Sequence, residues 1–133
     1  MLSEARRKLR RVTPQEVERA LANGALLIDI RSDEQRATDG TVPGARFVPR
    51  NVLEWRLDPS SRSHDPELAR PDVLIVVMCD EGYQSSLAAA TLLELGLRRA
   101  TDLAGGFQAW RAAGLPVQPP SGASPPSGAA TWR

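Results

Sequence analysis

The sequence has a single cysteine, Cys79, and a single histidine, His64. A disulfide framework within the chain is thereby excluded, and so is a metal site of the cysteine/histidine zinc type. An excess of one charge is also missing. Seventeen basic residues stand against sixteen acidic ones, a formal net charge of +1, which argues against a dedicated nucleic-acid partner. Long apolar runs are lacking as well: Val73 to Cys79, the longest, has seven residues, where a membrane helix needs about 20. No membrane partner is expected. What the chain does have is 133 residues, 41% of them apolar and 25% charged. That is enough for one soluble domain with a real core and too little for two.

The ends differ from the middle. Residues 1–11 carry Arg6, Arg7, Lys8, Arg10 and Arg11 but no apolar stretch of a secretory leader, so a cytoplasmic location is the expectation. This basic arm is expected to be solvated, its alternative use being contact with an acidic partner. Pro116 to Arg133 holds five Pro and two Gly among Ser and Ala. Such a segment buries too little apolar surface to offset its ordering entropy, and residues 118–133 are expected to form a disordered tail. The folded unit is expected over 12–117.

Between the ends, strand and helix signals alternate. Thr13-Pro14-Gln15-Glu16 has capping-box spacing with Pro at the first helical position, predicting a helix from Pro14 to Ala22. Ala25 to Ile30 reads as a buried strand, Ser32 to Thr38 as a helix capped by Ser32, and Arg46 to Val48 as a short strand. Asn51 is expected to cap a helix over Val52 to Leu57. Val73 to Met78 is apolar at both parities and rich in β-branched residues, the pattern of a strand covered on both faces. Ser85 to Leu95 is the strongest helix, followed by a strand over Ala100 to Leu103 and a helix over Gln108 to Ala113. The fold class is α/β, a parallel sheet with helices on both sides.

Cys79 falls where the strongest strand ends and shortly before the strongest helix begins. In open α/β sheets ligands bind beyond the carboxyl ends of strands. The connecting Asp80-Glu81-Gly82-Tyr83-Gln84-Ser85 contains a glycine that permits a tight turn, so that backbone N–H groups and a helix N-terminus can converge on the sulfur. An unperturbed thiol, with a pKa near about 8.5, is only slightly ionised at neutral pH, and such donors favour the thiolate nucleophile. Two readings stand at this point. Cys79 is a reactive thiol, or it is a small buried core residue, as free cysteines often are.

Four segments in order resemble the rhodanese-like domain family. They are Leu27-Ile28-Asp29-Ile30-Arg31, similar to its first-strand signature; Gly40-Thr41-Val42-Pro43-Gly44-Ala45, similar to its Gly-His-Ile-Pro-Gly-Ala turn; Cys79 to Ser85, similar to its Cys-x-x-Gly-x-Arg-Ser/Thr loop; and Gly105-Gly106-Phe107-Gln108-Ala109-Trp110, similar to its closing motif. The resemblance spans Val12 to Val117. It implies a three-layer α/β/α domain with a central, mostly parallel sheet, and a sulfurtransferase that carries sulfane sulfur as a persulfide on Cys79. It implies a small sulfane-sulfur donor or a protein persulfide, a thiol or cyanide acceptor, and no cofactor. The catalytically weak alternative is a sulfur-carrier or regulatory module.

Two departures stand out. Thr41 replaces the usual His, and Gln84 replaces the usual loop Arg, with Asp80 and Glu81 adding negative charge. The donor-binding residues implied are Asp80, Glu81, Gly82, Tyr83, Gln84 and Ser85. Arg50 and Arg56 are expected as solvated surface arginines, the alternative being that one of them supplies the missing positive charge. Asp29 and Arg31 are expected to form an ion pair or backbone anchor, with an accessory role at the site as the alternative. His64 is expected in a solvated loop, Phe107 and Trp110 in the core, and Ser85 and Ser86 as helix caps.

Overall fold

The computed structural model describes residues 1–120. The chain runs α1 (Leu2–Arg7), α2 (Pro14–Ala22), β1 (Leu26–Asp29), α3 (Asp33–Asp39), β2 (Arg46–Phe47), a 3₁₀ turn (Arg50–Val52), α4 (Leu53–Leu57), β3 (Ile75–Met78), α5 (Gln84–Glu94), β4 (Ala100–Asp102) and α6 (Gly106–Ala112). The strands form a parallel sheet in the order β2-β1-β3-β4.

Alternation along the strands builds the three layers. Ile28, Ile75 and Val77 pack with Leu53 and Leu57 of α4 and with Ala88, Ala89 and Leu92 of α5. Their neighbours Leu27, Val76 and Met78 pack on the other face with Val17 of α2 and with Phe107 and Trp110 of α6. All four residues of β3 are fully buried, as its doubly apolar sequence requires. Trp110 fills the second core, and its indole N–H, 2.8 Å from the Pro116 carbonyl, keeps its polar end satisfied.

Local chemistry sets the helix starts. Thr13 and Glu16 close a reciprocal capping box at α2, and Ser32 and Gln35 close another at α3. The Thr13 backbone amide, with its hydroxyl, holds the Glu16 carboxyl below the usual glutamate range. Asn51 does not cap α4, because a 3₁₀ turn over Arg50–Val52 runs directly into that helix.

The ends depart from expectation. The basic arm is solvated only in part: Arg7, Lys8 and Arg10 are exposed, whereas Ala5 is buried, Leu9 packs against the first core, and α1 lies against α5. Val12 then pairs with Leu103 at the sheet edge, and the Thr101 hydroxyl donates to the Arg10 carbonyl at 2.8 Å. At the other end Gln118 exchanges two backbone hydrogen bonds with Thr41, so the tail expected over 118–133 begins with a paired residue. Residues 121–133 of that tail lie outside the described part.

Strand order places the site. β1 connects to β2 on one side of itself, while β3 lies on the other side, so the crossovers diverge between β1 and β3. The carboxyl ends of those two strands frame the crevice where α/β sheets receive ligands.

Candidate active site

Cys79 follows β3 directly at that crevice. The residue is 6% exposed, and it lies on the wall of an open pocket of about 670 Å³. The Gly82 and Ser85 amides donate to Cys79 Sγ at 3.1 and 3.3 Å. Two backbone donors thus converge on one buried sulfur.

The loop that provides these donors is wedged by its neighbours. Gly82 has φ +88°, and a Cβ there would stand 2.7 Å from the Gly105 nitrogen. The start of α6 presses on the loop from below: the Phe107 amide donates to the Cys79 carbonyl at 2.9 Å and the Gln108 amide to the Asp80 carbonyl at 3.1 Å. A Cβ on Gly106 would lie 2.5 Å from the Cys79 carbonyl oxygen, so the paired glycines let the two backbones meet. The Gln108 side-chain amide donates to Asp80 Oδ1 at 2.9 Å, which turns that carboxylate toward α6.

Behind the loop lies a polar cluster. Asp102, at the end of β4, is fully buried. Its Oδ2 accepts from the Ser85 and Ser86 hydroxyls at 2.8 Å each, and Arg11 binds both oxygens at 2.9 and 3.1 Å. Ser85 and Ser86 therefore do not cap α5. That helix begins without a side-chain cap, and the two hydroxyls tie it to β4 instead.

The pocket collects most of the residues expected at the site. Asp80, Glu81, Tyr83 and Gln84 border it from the loop, Arg31 from the end of β1, and Arg50 from beyond β2. Tyr83 is exposed at its lip. Arg50 is paired with Glu54 at 2.8 Å, which offsets part of its charge. Arg56 is not at the pocket. Its guanidinium donates to the Ser63 carbonyl at 2.7 Å and faces Asp65, so it secures the segment after α4. His64 accompanies that segment, with Nδ1 2.7 Å from the Ser61 carbonyl. Trp55, on α4, is exposed.

Asp29 and Arg31 form the expected ion pair and anchor. Arg31 binds the carboxylate with Nη2 at 2.8 Å and Nε at 3.0 Å, and the same Nη2 donates to the Gly40 carbonyl at 2.7 Å. The guanidinium stacks 3.9 Å from the centre of the Phe107 ring. This pair ties β1 to the turn after α3 and to α6, and holds one wall of the pocket. No cluster of His, Cys, Asp and Glu suited to a metal ion occurs among the described residues, and no helix among them is long and apolar enough to cross a membrane.

The rhodanese-like domain model matches residues 13–113. The chain belongs to the rhodanese-like domain family. It is 33% identical over 105 residues to the thiosulfate sulfurtransferase GlpE of Ectopseudomonas mendocina, covering 79% of this chain and 87% of that one. It is 32% identical over 97 residues to a sulfurtransferase of Allochromatium vinosum, covering 73% and 81%. Among solved structures it resembles the human single-domain sulfurtransferase TSTD1, with 30% identity, a TM-score of 0.63, and 77% and 95% of the two chains covered. It also resembles a Rhodopseudomonas palustris protein of unknown function, described as a possible tyrosine phosphatase, with 33% identity, a TM-score of 0.80, and 87% and 89% covered.

Sequence reasoning passed over Arg11, Asp102 and Gln108 as contributors to the rhodanese loop. Each reaches its partner across the fold, Arg11 to Asp102 over 91 positions. No local pattern marks such a pair.

Proposed function

We propose that Cys79 carries sulfane sulfur as a persulfide between a donor and an acceptor. The observation that supports this most is the convergence of the Gly82 and Ser85 amides on Sγ at the wall of an open pocket. The Cys79 thiolate attacks the outer sulfur of the donor. The donor's bond to that sulfur breaks, and the leaving group departs with the electron pair, as sulfite from thiosulfate, as a thiolate from another persulfide, or, where a C–S bond breaks, as the pyruvate enolate from mercaptopyruvate. The persulfide anion left on Cys79 meets the same two N–H donors. An acceptor thiolate or cyanide then attacks the outer sulfur, and the Cys79 thiolate leaves with its electron pair. The product is an acceptor persulfide or thiocyanate. With one cysteine in the chain, the sulfur passes to an external acceptor.

Charge bears on the donor. Gln84 stands where the family loop has Arg, and Asp80 and Glu81 border the pocket. Arg50 is the cation at the pocket beyond β2, and Glu54 pairs with it. A doubly charged anion such as thiosulfate is poorly matched by this set. A persulfide of lower charge, small or protein-bound, is the better donor.

The phosphatase description of the Rhodopseudomonas palustris relative does not carry over. Phosphoryl transfer on a cysteine loop needs an arginine to clamp the phosphoryl oxygens. Here Ser85 occupies that position, and no Arg occurs between Cys79 and Arg98.

Intact-protein mass spectrometry tests the proposal. Incubation with thiosulfate, mercaptopyruvate or glutathione persulfide is expected to add one sulfur atom with at least the last donor. Cys79→Ser is expected to gain none, and cyanide is expected to discharge the adduct as thiocyanate. Absence of any adduct with all three donors would overturn the reading in favour of a non-catalytic module.

A further inference from the structure

We propose that Arg6 and Arg11, on the N-terminal arm, are positioning residues for the Cys79 thiolate. They supply from behind the loop the positive charge that the loop lacks at Gln84. The proposal rests on the reading of Cys79 as a nucleophile.

Both guanidiniums end on one atom. Arg6 Nη2 donates to the Gly82 carbonyl at 2.9 Å and Arg11 Nη2 donates to it at 3.1 Å. Gly82 is also the residue whose N–H points at Sγ. It is therefore held from both sides, its amide toward the sulfur and its carbonyl toward two cations. Arg6 is tied in further. Its Nε donates to Ser86 Oγ at 3.0 Å, and that hydroxyl in turn donates a hydrogen bond to Asp102 Oδ2 at 2.8 Å. The helix that begins beside the sulfur is thereby joined to the arm.

The charge count around the sulfur gives these contacts their meaning. The pocket side presents Asp80, Glu81 and the phenol of Tyr83 from the loop, Arg31 and Asp33 from beyond β1, and Arg50 from beyond β2. Arg31 shares the Asp29 carboxylate with Arg36, and Glu54 offsets part of the Arg50 charge. Behind the loop stand Arg6, Arg11 and Asp102, and Asp102 offsets only one of the two arginines. Arg6 makes no ion pair among the described residues, so its charge remains available to the loop. Charge-assisted bonds to a carbonyl both orient the peptide and lower the energy of a nearby anion. An arm of this kind does remotely what a loop arginine does directly, and it leaves the pocket itself free of that side chain.

Arg6 is the residue to test, because removing Arg11 also strips a buried carboxylate of its partner and endangers the fold. Arg6→Met keeps the apolar stem and removes the charge, whereas Arg6→Lys keeps the charge. The readout is the rate of Cys79 alkylation by iodoacetamide in the full chain, near neutral pH and again well above the ordinary thiol range, with circular dichroism to verify folding. Arg6→Met is expected to slow alkylation near neutral pH by roughly threefold to tenfold. It is expected to match the wild type at the alkaline point, where the thiol is ionised regardless, and Arg6→Lys is expected to recover most of the loss. Equal rates in Arg6→Met and wild type at both points would overturn the proposal. Equal slowing at both points would overturn it too, because that is a change of access and not of thiolate stability. Alkylation needs no sulfur donor, so a protein that fails to form a persulfide but shows this pattern defeats the sulfur-transfer reading alone.

Discussion

Gly82 directs its amide at Cys79, 3.1 Å from Sγ, with a backbone angle of φ +88° that only glycine adopts without strain. The sulfur's environment therefore depends on a residue with no side chain. Its chemistry is a matter of where the loop backbone is held.

Replacing this glycine should separate packing from reactivity. In Gly82→Ala the new methyl meets the Gly105 backbone at 2.7 Å and cannot be relieved by a side-chain rotation. The strained angle and the contact together are expected to lower unfolding free energy by about 1–3 kcal/mol. Urea unfolding measures that loss. Cys79 alkylation near neutral pH should also slow, as the amide leaves the sulfur. A wild-type alkylation rate in the folded variant would show that the Gly82 amide does not matter to the thiol.

Restoring the family's loop arginine should broaden donor use. Gln84 borders the pocket and is exposed, so Gln84→Arg adds a charge at the mouth without burying it. Steady-state kinetics are expected to show the KM for thiosulfate falling by about tenfold, the order of one added charge-assisted contact. The KM for glutathione persulfide should change less. An unchanged thiosulfate KM would mean that local charge does not set donor preference.

Breaking the Asp29–Arg31 pair should cost more than removing it whole. The Arg31 side chain is fully buried and that of Asp29 nearly so. Arg31→Met leaves the carboxylate buried with the more distant Arg36 at 3.5 Å, and about 3–5 kcal/mol of stability should be lost. The double variant Asp29→Asn, Arg31→Met is expected to lose clearly less than the sum of the single variants, because the two groups share one network. Denaturant titrations of all four proteins measure the coupling. Additive losses would show that each side chain acts alone.

Sequence alone determined what depends on neighbours along the chain. The doubly apolar run that became β3, the capping box at Thr13, the cap at Ser32, and the position of Cys79 between a buried strand and a long helix all follow from local patterns. These patterns encode burial and backbone hydrogen bonding within a few residues, and the parallel α/β arrangement follows from their alternation. Tertiary structure decided what depends on distant partners. Arg6 and Arg11, which read as a solvated basic arm, meet Gly82 from 76 and 71 positions away. Ser85 and Ser86, which read as helix caps, bond Asp102 instead. Arg56, a surface arginine that was also a candidate pocket cation, binds Ser63. A charged or hydroxyl side chain has the same composition signature whether it meets water or a buried carbonyl. Only the packing of α1 against α5 and of β4 behind the loop selects between the two.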